Sequence, residues 1–84
     1  MKVIVTEEHI KNGKRDDAFF CPIALAIKDL GIEDFKKFMV LETDIYLYTA
    51  YIKLPPKAQY FIHAFDNNRR SVKPFEFELD YKAS

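Results

Sequence analysis

The chain has 84 residues, with 13 basic and 13 acidic side chains, eight Phe, five Tyr and a single Cys. That length gives room for one domain and one core, and 49% apolar residues is the content of a globular chain rather than a disordered one. Balanced charge argues against duplex nucleic acid as a partner, and one cysteine excludes an internal disulfide or a multi-cysteine zinc site.

The first element is a β-branched run from Lys2 to Thr6, which predicts a strand. Thr6 then stands where it can cap a short helix, with Glu7 and Glu8 at the helix's positive end. Asn12-Gly13 predicts its end, with Gly13 in a left-handed exit. Lys14 to Phe20 reads as a loop. Cys21-Pro22 starts the next element, because Pro is tolerated at the first helical position. Ile23, Ala26, Ile27 and Leu30 follow at helical spacing, and Gly31 is the expected stop, with Ile32 folding back onto the last turn.

Phe38–Leu41 and Ile45–Leu54 are rich in aromatic and β-branched residues and predict two strands joined near Thr43-Asp44. The second is apolar at both odd and even positions, so it is expected to need cover on both faces. Pro55-Pro56 breaks it and presets a helix in which Ala58, Phe61, Ile62 and Phe65 form one stripe, ended by the polar run from Asp66 to Arg70. Pro74–Tyr81 alternates, with Phe75, Phe77, Leu79 and Tyr81 facing one way and Glu76, Glu78 and Asp80 the other. The expected fold is a single α+β domain over residues 1–84. Its order is β-α-α-β-β-α-β, a mainly antiparallel four-stranded sheet with helices on one face.

Candidate functional residues fall into a few groups. Arg69, Arg70 and Lys73 form one basic cluster and Lys14 and Arg15, beside Lys11, another; brought together they could hold a small anionic ligand or an acidic partner. Tyr46, Tyr48 and Tyr51 share one predicted strand, and tyrosine suits interfaces because it joins an apolar body to a polar tip. With the helices covering only one face, those rings predict a partner surface or a homodimer through the sheet. Cys21 at a helix start, with His9 as a base, is a candidate nucleophile beside the plainer reading of a packed or capping cysteine. His9 and His63 sit in no metal-ligand pattern, so no metal and no cofactor are expected. The acidic face Glu76, Glu78, Asp80 reads as a protected edge strand, or as a phosphate mimic. The opening residues are not those of a secretory signal and no stretch approaches the ~20 apolar residues of a membrane span, so a cytoplasmic protein without membrane contact is expected.

The run Cys21-Pro22-Ile23-Ala24-Leu25-Ala26 resembles a family of small uncharacterised proteins of bacteriophages and bacteria. The likeness continues in Val5–Ile10 with Gly13, in Leu54-Pro55-Pro56, in Phe61–Asp66 and in Val72–Leu79. Several relatives of that kind carry a second Cys three residues before the Cys-Pro, where this chain has Ala18. The resemblance implies a phage or prophage setting, hence host cytoplasm, and supplies no activity. The first functional expectation is a non-enzymatic binding protein, a counter-defence inhibitor or a sequestering protein for a nucleotide-like ligand. The alternative is an accessory single-stranded nucleic-acid-binding protein that stacks bases on tyrosines. The third is a small enzyme dependent on Cys21.

Overall fold

The structure, a computed structural model, describes residues 1–47, 50–67 and 72–81. At the N-terminus, strand β1 (Lys2–Val5) alternates exposed and buried residues and turns Val3 and Val5 inward. Its antiparallel partner is the last strand of the chain, with Val3 opposite Phe77. Thr6 caps helix α1 (Glu7–Asn12) through its hydroxyl, and the His9 ring returns the bond by accepting the Thr6 N–H at 2.9 Å. That is a capping box in which imidazole Nδ1 replaces the usual Glu or Gln. His9 Nε2 also meets Asp29 Oδ2 at 2.6 Å, so this histidine ties α1 to the next helix, and its side chain is only 12% exposed.

Helix α2 (Pro22–Asp29) starts as expected, with Cys21 Sγ accepting from the Ala24 N–H and Pro22 in the first turn. Pro22, Ile23, Ala24, Ala26 and Ile27 are buried. Leu30, expected on the same stripe, is 39% exposed, because the helix ends at Asp29 and the chain leaves the core there. Gly31 has φ +64, the left-handed conformation predicted for the stop, and Ile32 packs back on the core.

Gly13 differs from expectation. Its φ is −72 and its ψ 154, an extended conformation open to any residue. Glycine is required there for space: a Cβ would lie 2.6 Å from the Pro22 ring and 2.7 Å from its backbone nitrogen. The end of α1 and the start of α2 approach so closely that no side chain fits between them.

A single 3-10 turn (Glu33–Phe35) leads to β2 (Phe38–Val40), β3 (Asp44–Leu47) and β4 (Ala50–Lys53), followed by α3 (Pro56–Asp66) and β5 (Phe75–Glu78). The predicted strand from Ile45 to Leu54 is therefore two strands of a hairpin, with Ile45 opposite Ile52 and Leu47 opposite Ala50. This explains its doubly apolar pattern. Ile45 and Leu47 face the core from odd positions, while Ile52 and Leu54 face it from even ones. The reversal switches the parity, so no strand here carries two buried faces. The predicted four-stranded sheet is likewise two antiparallel sheets, β1-β5 and β2-β3-β4.

Both sheets share one core, and α2 packs against α1, β1 and β2. Phe65, Phe61, Phe75 and Phe77 stack in succession across α3 and β5, at centroid separations of 6.0, 4.7 and 5.6 Å. Phe61 and Phe77 are buried and Phe65 and Phe75 half-buried. No helix among the described residues is long and apolar enough to cross a membrane.

The two glycines give opposite expectations. Gly13→Ala leaves the backbone unstrained but overpacks the α1–α2 junction, and should cost ~1–3 kcal/mol in urea denaturation. Gly31→Asn meets no neighbouring atom and keeps a residue tolerant of positive φ, so it should cost less than ~1 kcal/mol.

Candidate functional site

A depression of about 690 Å³ forms an apolar groove beside β2. Phe19 and Phe20 form part of its wall, with Phe38, Met39 and Tyr46 from the sheet and three lysines, Lys28, Lys36 and Lys37. Phe19 and Phe20 are 52% and 48% exposed, a costly position for two adjacent large rings. They are nevertheless held in place. The Asp17 carboxylate accepts from both of their N–H groups at 2.9 Å. The Phe20 carbonyl accepts from the Lys14 N–H at 2.9 Å, and the Cys21 N–H closes the turn onto the Asp17 carbonyl. Lys28 donates to the Phe19 carbonyl at 2.6 Å, and its ammonium stands 4.0 Å from the centre of the Phe20 ring. The Lys14 ammonium lies 5.6 Å from the same ring. An aromatic pair fixed by this many bonds is a formed surface rather than a frayed loop.

Lys36 pairs with Glu33 at 2.8 Å on the surface, an exposed pair of small energetic worth. Lys37 is exposed. On the outer face of the three-stranded sheet Met39 lies opposite Tyr46, and Tyr46 opposite Tyr51, so these three residues make a cross-strand row. The Tyr46 and Tyr51 rings lie 5.0 Å apart, and Tyr51 is 66% exposed. This cross-strand row, rather than a second face of one long strand, is where the described tyrosines of that segment lie.

The basic clusters read from the sequence are only partly visible. Arg69, Arg70 and Tyr48 lie outside the described residues. Lys14 does not line the groove but reaches the ring of Phe20, which does, and Arg15 next to it in the chain is exposed. Lys73 is exposed and lines a separate depression of about 230 Å³ with Lys57 and Tyr60. The α1–α2 loop does meet the end of α3, where Asp66 Oδ1 accepts from the Asp16 N–H at 3.0 Å. The groups around that junction are acidic: Asp16, Asp17, Glu42 and Asp66. Burial, and then the charges of Asp16 and Glu42, push the Asp66 carboxyl above its ordinary range. Among the described residues no cluster of His, Cys, Asp and Glu could hold a metal ion.

Cys21 and His9 are held at opposite ends of α2. Cys21 caps its start, whereas His9 is bonded to Asp29 at its close, roughly 12 Å away along a helix of this length. Burial also pushes the Cys21 thiol up, against the lowering effect of the Ala24 and Ile23 N–H groups. The acidic face of β5 is partly neutralised: Glu76 pairs with Lys2 at 2.9 Å and Glu78 with the Met1 ammonium at 3.3 Å.

Sequence reasoning passed over Phe19 and Phe20 as loop residues. Their signal was two consecutive aromatics between Asp16-Asp17 and a helix cap, where a tight turn cannot bury both rings. No protein-family model, curated protein or solved structure matches the chain.

The Cys21 environment has a pH consequence. The folded thiol keeps its proton to higher pH than the unfolded one, so its contribution to stability is whole below the unfolded pKa, roughly 8.5, and drains as pH climbs through the higher folded value. Urea midpoints should therefore fall as pH rises above about 8.5, and Cys21→Ser should flatten that arm. A thiol reagent should label the native protein far more slowly than the urea-unfolded chain.

Proposed function

We propose that this chain is a non-enzymatic binding protein whose working surface is the lysine-edged aromatic groove. Its occupant is an anionic molecule or segment with an apolar body. The observation that supports this best is the fixed exposure of Phe19 and Phe20, since two half-exposed rings held by Asp17 and Lys28 add little to folding and offer a prepared contact. Lys28, Lys36 and Lys37 give the groove a positive edge. A nucleotide-like ligand has the matching chemistry, a flat ring for the phenylalanines and phosphates for the lysines. The resemblance to small phage and bacterial proteins favours a counter-defence setting, in which such a protein works by occupying a host partner or a small anionic signal.

A second reading has its own support. The Tyr46–Tyr51 pair continues the aromatic surface beyond the groove. Aromatic rings interleaved with lysines suit stacked single-stranded bases as well as a single ligand.

Fluorescence titration with anilinonaphthalene sulfonate, an aromatic body with one negative charge, tests the first reading. Phe20→Ala and Lys37→Glu should each weaken binding about tenfold, roughly 1.4 kcal/mol, with the melting temperature held. Lys73→Glu should leave it unchanged. Equal binding by Phe20→Ala would reject the groove. Salt-dependent binding of an oligothymidine that is lost in Tyr51→Ala would favour the second reading.

A further inference from the structure

Strand β2 is an edge of its sheet, and its backbone shows which edge groups are already used. The Leu41 N–H donates inward to Asp44 of the hairpin, while the Val40 N–H donates outward to the Ala18 carbonyl at 2.9 Å. Successive residues of a strand direct their N–H and C=O groups to alternate sides. Met39 therefore points inward to Tyr46, its ladder partner, and Phe38 points outward again. One rung of the outer edge, at Val40, is filled by the α1–α2 loop. The loop then turns away at Phe19-Phe20, leaving the next rung, at Phe38, bordering the groove.

We infer that the occupant of the groove is an extended acidic peptide segment, which adds to β2 at Phe38 as a further strand. The inference rests on the groove being the binding surface. Strand addition supplies main-chain hydrogen bonds from the edge and selects side chains through the adjoining pocket. A strand of alternating apolar and acidic residues matches what stands beside Phe38: Phe19, Phe20 and Met39 for the apolar side chains, Lys36 and Lys37 for the carboxylates. The other edge of this sheet, β4, is less suited. Its outward residues by the same alternation are Tyr51 and Lys53, both exposed, and an edge lysine is a common guard against strand addition. An outward backbone rung at Phe38 with no hydrogen-bond partner among the described residues favours polypeptide over nucleic acid, which would use the rings and lysines alone.

The test uses a short blocked peptide alternating Val or Phe with Glu, and the same peptide N-methylated at alternate backbone nitrogens in either register. The full chain is followed by amide hydrogen exchange and by displacement of anilinonaphthalene sulfonate. The unmodified peptide should displace the dye and slow exchange of the Phe38 N–H by about tenfold or more, whereas one N-methylated form should lose both effects. Lys36→Glu with Lys37→Glu should weaken the peptide by about tenfold and leave the melting temperature in place. Equal displacement by both N-methylated forms, with Phe38 exchange unchanged, would overturn strand addition while leaving the groove reading intact. So would dye binding without peptide binding, or an oligothymidine that binds where the peptide does not. A mass twice that of the chain, with Phe38 protected in the protein alone, would assign the edge to a second copy and overturn a foreign peptide. Dye binding that ignores Phe20→Ala would reject the groove itself.

Discussion

The structure depends on burying α2. Two small sheets, one of two strands and one of three, share no hydrogen-bonded ladder. A two-stranded sheet is marginal in water by itself, so each sheet needs an apolar surface to lie against. Helix α2 supplies it, with Ile23 and Ile27 fully buried and contacts to both β1 and β2. The helix is fixed at both ends: Cys21 and Pro22 set its start against Gly13, and Asp29 is bonded to His9 at its close. A Cβ at Gly13 would stand 2.6 Å from the Pro22 ring, so the junction that seats α2 against both sheets has no room for a side chain.

The same docking shapes the surface. Because α1 ends directly against the start of α2, the intervening residues 14–20 must loop outward, and the Asp17 turn leaves Phe19 and Phe20 beside β2. The loop reaches the edge of the sheet through the Ala18 carbonyl, which accepts from the Val40 N–H. The groove and its open rung thus arise from the helix junction that holds the core. A binding surface built on a tightly packed junction is rigid, which lowers the entropy lost when an occupant orders against it.

A net charge of zero conceals a segregation. Lys28, Lys36 and Lys37 edge the groove, while Asp16, Asp17, Glu42 and Asp66 gather where the loop meets α3. At the acidic junction burial first, and then the neighbouring charges of Asp16 and Glu42, raise the Asp66 carboxyl, against the hydrogen bond it accepts from the Asp16 N–H. Composition excludes large single-sign fields, but it does not exclude local ones, and only local ones matter to a small ligand within a Debye length of about 8–10 Å.

The sequence by itself determined the local elements whose causes are local. Thr6 and Cys21 cap because an acceptor stands before a run of free N–H groups, Gly31 adopts positive φ because it lacks a Cβ, and Phe75, Phe77 and Leu79 alternate with Glu76 and Glu78 because a pleat has two sides. Gly13 was legible as a helix end but not for its reason, since the atom it avoids belongs to Pro22. The hairpin within 45–54 is hidden because that stretch holds no Asn-Gly or Asp-Gly pair to mark a tight turn, so a parity switch reads as one strand with two apolar faces. His9 carried no pattern because its partners, Thr6 and Asp29, come from a cap and a neighbouring helix. Only tertiary structure decided the groove: its rings, lysines and free rung come from the loop before α2, from α2 itself, from the turn before β2 and from β2 and β3. Packing brings these to one place, and no spacing along the chain records it.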